Sequence, residues 1–197
     1  MNTVKTNKTD TRKIAGLGLF TAIVIILQAM GSFVKLGPFS ISLVLIPIVL
    51  GAALYGRYAG TWLGFVFGLA VLISGDAGPF LAVNPIGTVI TVLFKGMACG
   101  FATGVVYSLL VGKNRTVAVI ISALVCPVVN TGVFLIGCLI FFMDIIAVWA
   151  EGLGMGDNVG LYMIVGLVGV NFIAEVLINI VLSPVIFRLL DYVKKSH

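Results

Sequence analysis

The chain has 197 residues, of which 60% are hydrophobic and only 10% charged, and its formal net charge is +5. A soluble domain of this size cannot bury so much apolar side chain, so the composition excludes an ordinary soluble protein and favours membrane-spanning helices of about 20 residues each. The basic residues lie mainly in short loops and at the chain ends, which indicates membrane topology rather than binding to nucleic acid.

Six transmembrane helices are predicted, which makes the chain an all-α integral membrane protein with a six-helix bundle. Residues 1–13 form a basic cytoplasmic tail, residues 14–190 the membrane domain, and residues 191–197 a second cytoplasmic tail. The first apolar run is longer than that of a signal peptide, so the first helix is expected to be retained. The predicted helices lie near residues 14–34, 40–55, 59–74, 86–111, 116–142 and 160–190.

The distribution of Lys and Arg predicts that the N- and C-termini are both cytoplasmic. With the N-terminus inside, the inner segments contain ten Lys and Arg residues, whereas the outer segments contain only Lys35. This asymmetry is the positive-inside pattern of multi-pass membrane proteins. The outer segments 74–86 and 143–159 are long and rich in Gly, Asp and Asn, and we expect them to cover a site.

A few polar residues interrupt the apolar helices, and these are the candidate substrate contacts. Lys95 and Glu175 are ionisable residues within the predicted bilayer core, where such groups usually face a cavity or a partner. The i, i+4, i+8 spacing of Asn171, Glu175 and Asn179 places them on one face of the sixth helix. Lys95, Asn130 and Asn171 are predicted to lie at a common depth of about 13–18 Å, from the helical rise per residue. The predicted substrate-binding residues are Lys95, Asn130, Asn171, Glu175, Asn84 and Asn179.

The chemistry of these residues leaves two interpretations open. An ammonium at Lys95 favours a ligand with a carboxylate or phosphate, and the asparagines favour hydroxyls or amides. Alternatively, Lys95 and Glu175 pair with each other and the asparagines bond across helices, at about 0.6 kcal/mol each. The sequence shows no nucleophile beside a base, no metal-ligand cluster and no P-loop, so we predict no enzyme activity, no metal and no cofactor.

Small residues recur every four positions in three of the predicted helices. Such strips allow helices to approach closely, and we expect the two longer strips to pack against other helices of this chain. The shorter strip, Gly18 and Ala22 on the first helix, is predicted to face a partner subunit. The longer strips consist of Gly60, Gly64 and Gly68 in the third helix and Gly96, Gly100 and Gly104 in the fourth.

These features together resemble the substrate-binding S components of energy-coupling factor (ECF) transporters, which import vitamins into bacteria and archaea. Pro47, Gly51 and the segment 55–60 (YGRYAG) resemble the second inner turn of that family. The segment from Gly18 to Ala22 resembles the Ala-xxx-Ala motif by which the first helix meets the coupling subunit, with glycine in place of the first alanine.

The resemblance implies a subunit of an ECF-type ABC importer in the cell membrane. Such a subunit captures a water-soluble vitamin from outside and docks on a transmembrane coupling (T) subunit with two ATPase subunits, which supply ATP hydrolysis. The stretch 43–104 is most similar to the pantothenate-type members, and the carboxylate of pantothenate suits Lys95. Folate, biotin and phosphate-bearing ligands are also anionic, so the charge alone does not select among them.

Two further functions stay open from the residues alone. The first is an autonomous ion-coupled secondary transporter that uses Lys95 and Glu175 as a proton relay. The second is a membrane assembly factor that binds no ligand.

Overall fold

The computed structural model describes the backbone of residues 8–31, 35–36, 39–40 and 43–195, and most of it is helical. A two-residue hairpin pairs β1 (Lys35–Leu36) with β2 (Phe39–Ser40) in antiparallel register. A 3-10 turn (Gly156–Asn158) and a π-helical segment (Tyr162–Leu167) flank the short helix α8 (Val159–Leu161). The α-helices are α1 (Lys8–Gly31), α2 (Leu45–Tyr55), α3 (Arg57–Ser74), α4 (Gly78–Leu81), α5 (Pro85–Leu110), α6 (Arg115–Phe141), α7 (Met143–Gly152), α8 (Val159–Leu161) and α9 (Gly169–Lys195).

Five helical segments of the described chain are long and apolar enough to cross a membrane. The predicted second helix corresponds to α2, which starts at Leu45 rather than at residue 40 and has only 11 residues. That length is below the roughly 20 residues that a straight span needs, so the six-span count and the orientation of the termini stay predictions. The five candidate spans are Lys13–Gly31, Arg57–Ser74, Pro85–Leu110, Arg115–Phe141 and Gly156–Asp191.

The predicted boundaries differ from the observed ones mainly at the first, second and last helices. The predicted end of the first helix, residues 32–34, lies outside the described residues. The predicted last helix begins not as regular α-helix but as the 3-10 turn, α8 and the π-helical segment. Gly169 begins α9, two residues before Asn171.

α3 and α5 approach each other so closely that their backbones are in contact along the predicted glycine strips. A β-carbon added to Gly64 would lie less than 3.0 Å from the carbonyl oxygen of Gly96, and one added to Gly100 would meet that of Gly60. Side chains are therefore excluded from this interface, as in other small-residue helix pairs. The structure confirms that these two strips pack within the chain.

The ends of the helix bundle are secured by different interactions. At one end, Arg115 at the start of α6 forms an ion pair with Asp191 near the end of α9. At the other end, α4 and α7 meet through a buried apolar cluster that includes Phe80, Phe142 and Ile146. Phe80 of α4 and Phe142, which directly precedes α7, line the cavity described next.

Candidate functional site

A cavity lies among α1, α3, α5, α6 and α9, at the end of the bundle where α4 and α7 pack together. The space between its wall atoms amounts to about 720 Å³, a volume that includes the open solvent at its mouth. Its wall combines apolar side chains with charged, amide and hydroxyl groups, which is the usual composition of a small-molecule site.

Four of the six predicted substrate-binding residues meet in this cavity. Lys95 comes from α5, Asn130 from α6, and Asn171 and Glu175 from α9. Asn130 and Glu175 are almost fully buried, with 5% and 2% of their surfaces exposed. Three helices thus bring their polar residues to one cavity, and contact of these residues with a substrate stays a prediction.

Lys95 is surrounded by aromatic rings as well as by charge. Its Nζ lies 5.2 Å from the centroid of the Phe134 ring and 5.7 Å from that of Phe67, distances at which a cation is attracted to the ring face. Its ammonium is also attracted by the carboxylate of Glu175. The arrangement therefore accommodates both interpretations of Lys95, as a ligand contact and as the partner of Glu175.

Asn171 and Asn179 both form hydrogen bonds with Glu175 along α9, but only Asn171 bonds to its side chain. Asn171 Nδ2 donates to Glu175 Oε1 at 3.2 Å, whereas Asn179 Nδ2 donates to the backbone oxygen of Glu175 at 2.8 Å. Asn179 is fully buried and does not line the cavity. Its amide bonds back to the preceding helical turn, an alternative that asparagine commonly adopts and that sequence spacing does not reveal.

Asn84 also lies outside the cavity lining, because its side chain caps α5. Its Oδ1 accepts a hydrogen bond from the backbone nitrogen of Gly87 at 2.9 Å, and Pro85 follows as the first residue of the helix. Both features are typical of a helix N-terminus. The structure thus supplies a structural role for a residue that we had predicted to bind substrate.

Replacement of Asn84 by alanine is expected to lower the free energy of unfolding by about 1 kcal/mol, since one helix cap is lost, and to leave ligand affinity unchanged. Thermal unfolding and ligand titration of the purified protein measure the two effects. Asn114 caps α6 in the same way, through Val117, and Asn114→Ala is the matched control. A loss of ligand affinity in Asn84→Ala but not in Asn114→Ala would show that Asn84 contributes to ligand binding.

Four polar residues of the cavity were not singled out from the sequence: Gln28, Asp76, Thr88 and Thr91. Gln28 Nε2 donates to Asp76 Oδ2 at 2.6 Å, and Ser74 Oγ donates to the same oxygen at 3.2 Å. This cluster joins α1 to the end of α3. Gln28 could have been identified as a candidate from the sequence, because it is a polar residue inside the apolar run of the first helix.

The segments that we expected to cover a site contribute an aromatic cluster at the cavity. The Phe80 ring packs edge-on against Phe134, Phe142 and Trp149, with centroid distances of 5.6, 5.0 and 5.4 Å. Phe80, Asp76 and Ala77 line the cavity from the segment 74–86, and Trp149 connects α7 to Phe80. A lid function of this cluster stays a prediction.

Comparison with protein families identifies the chain. The family model described as ECF transporter, substrate-specific component, matches residues 12–187, a range that contains every described residue lining the cavity. No curated protein and no solved structure matches the chain significantly. Members of the matching family are substrate-binding membrane subunits of transporters and are not themselves enzymes. The chain therefore belongs to the family of substrate-specific components of ECF transporters.

Proposed function

We propose that this protein captures a small water-soluble vitamin from outside the cell and holds it in the cavity between α3, α5, α6 and α9. The observation that carries the proposal is the meeting of Lys95, Asn130, Asn171 and Glu175 in one cavity of a chain that belongs to this family. Polar groups inside a bilayer core are costly, and a ligand-binding cavity is a common reason for keeping them there.

The surroundings of the cavity support tight capture. Charged and amide groups act strongly in a site that apolar walls shield from water, because the local dielectric is low. The aromatic cluster around Phe80 lies where α4 and α7 meet, so a rearrangement of these two short helices would open the site towards solvent. Pantothenate belongs in the panel of vitamins to be tested, because residues 43–104 resemble those of pantothenate-type members.

A vitamin panel tests the capture proposal directly. The chain has two tryptophans, Trp62 and Trp149, and the variant Trp62→Phe leaves Trp149 beside Phe80 as the fluorescent reporter. One vitamin is expected to change the fluorescence of Trp149 and to raise the unfolding temperature. At a free vitamin concentration of 100 times Kd, the free energy of unfolding is expected to increase by about 2.7 kcal/mol. No response to any vitamin would contradict capture. Proton-driven uptake by the protein alone in liposomes would instead support a secondary transporter.

The partner interface is proposed to include Gly18 and Ala22, both of which are exposed on α1. A β-carbon added to Gly18 would have no neighbour within 4 Å among the described residues. This surface is thus available for a close helix contact with a coupling subunit that works with two ATPase subunits.

Gly18→Leu is expected to abolish at least nine-tenths of the co-purification with co-expressed coupling and ATPase subunits. Vitamin binding and unfolding temperature of the isolated protein are expected to stay unchanged, since Gly18 faces no other part of the described chain. Gly112→Leu, in the turn between α5 and α6, is the control because it also has open space around it. Normal assembly of Gly18→Leu would contradict the proposed interface.

A further inference from the structure

We propose that the ligand is a flat nitrogen heterocycle that offers several N–H or O–H donors and has no net negative charge. This inference rests on the proposed function, since it specifies the chemistry of the compound that the same cavity holds. Three independent properties of the cavity wall carry it: its aromatic rings, its buried hydrogen-bond acceptors and its charges.

Aromatic rings form an unusually large part of the wall. Five of the 13 phenylalanines of the chain line this cavity. Phenylalanine has no hydrogen-bonding group, so these rings offer only faces and edges, which complement another ring at centroid separations of about 4.5–7 Å. The five residues are Phe67, Phe80, Phe134, Phe142 and Phe172.

Several buried hydrogen-bonding groups of the cavity wall can be satisfied by N–H or O–H donors of a ligand. Asn130 Oδ1, Asn171 Oδ1 and Thr91 Oγ1 are buried, and none of these atoms has a hydrogen-bond partner within the described residues. All three residues line the cavity. The two amide oxygens can only accept hydrogen bonds, whereas the Thr91 hydroxyl can accept or donate, and buried acceptors are almost always satisfied in native proteins. A ligand with N–H or O–H groups on its ring supplies the donors.

The charges of the wall disfavour an anion. Among the described lining residues, Lys95 is the one cation, whereas Asp76 and Glu175 contribute two carboxylates. Glu175 already attracts the ammonium of Lys95. A ligand carboxylate would place a third negative charge in a poorly hydrated space, where repulsion between like charges is strong. A neutral or cationic ring avoids this repulsion and complements the two carboxylates.

Isothermal titration with four probes tests the inference on the purified full chain. Thiamine is a cation with two flat nitrogen-containing rings and an amino group, riboflavin is neutral with a flat ring system, pantothenate is an acyclic anion, and folate is an anion with a flat ring system. Thiamine or riboflavin is expected to bind at least 100-fold more tightly than pantothenate and folate. Tighter binding of either anion overturns the inference while leaving the capture proposal intact. Binding of no probe and of no other vitamin contradicts the capture proposal itself.

Two substitutions test the aromatic part of the inference with the ring-bearing probe that binds. Phe134→Leu and Phe172→Leu keep an apolar side chain but remove the ring, and each is expected to weaken binding at least tenfold. Phe172 is only partly buried, so its variant tolerates the change even if Phe134→Leu unfolds. Phe94→Leu is the control, because Phe94 precedes Lys95 but is 58% exposed and lies outside the cavity. Unchanged affinity in Phe172→Leu would overturn the aromatic contribution.

Discussion

Gly64→Ala is expected to lower the free energy of unfolding by about 3 kcal/mol or more, the upper end of the usual cost of overpacking. The added methyl group would meet the carbonyl group of Gly96 and the backbone nitrogen of Met97, so no side chain can move aside to make room. Relief requires α3 and α5 to separate. Thermal unfolding in detergent measures the change.

The same substitution is also expected to weaken ligand binding, because Phe67 of α3 and Lys95 of α5 both line the cavity and would move relative to each other. Gly132→Ala in α6 is the matched control, since a β-carbon there has open space. It is expected to be neutral or to stabilise by up to about 1 kcal/mol through improved helix propensity. Equal stability of the two variants would contradict the backbone contact between α3 and α5.

Lys95→Met is expected to lower both stability and affinity, and its combination with Glu175→Gln separates the two effects. The single change removes the ammonium that attracts the buried carboxylate of Glu175, and the free energy of unfolding is expected to fall by about 1–3 kcal/mol, the usual cost of leaving a buried polar group less well satisfied. The double variant Lys95→Met/Glu175→Gln carries neither charge and is expected to recover most of that stability. Its affinity is expected to stay at least 100-fold below that of the unmodified protein.

The measurements are the unfolding free energy and the ligand Kd of the four proteins in this double-mutant cycle. The cycle gives the coupling energy between the two side chains separately for folding and for binding. A double variant that binds as tightly as the unmodified protein would show that Lys95 and Glu175 only pair with each other. Recognition of the ligand would then depend on other residues of the cavity, such as Asn130 and Asn171.

The sequence was sufficient to predict helices wherever an apolar run is long and its ends carry strong local signals. Residues 86–111 and 116–142 were predicted, and the helices are Pro85–Leu110 and Arg115–Phe141. Both begin directly after an asparagine that caps the first turn. The second helix was predicted less well, because the apolar residues before Leu45 read equally well as helix, strand or turn.

For the site, periodicity along one helix placed Asn171 and Glu175 on a common face, and charge within the apolar runs identified Lys95. The depth estimate also grouped Asn130 with them, and the cavity contains all four. These predictions depend only on the helical repeat and on the cost of polar groups in a bilayer, both of which are local properties of the sequence.

By itself, then, the amino-acid sequence determined that this is a helical membrane protein and approximately where its long helices lie. It also identified the polar residues whose presence in the bilayer core is energetically unfavourable. Only the tertiary structure decided that Asn84 and Asn179 lie outside the cavity lining and that Gln28 meets Asp76 across 48 residues. Periodicity in the sequence gives the relative positions of residues around one helix. The rotation and depth of each helix relative to its neighbours depend instead on contacts between helices, such as the backbone contact of Gly64 with Gly96.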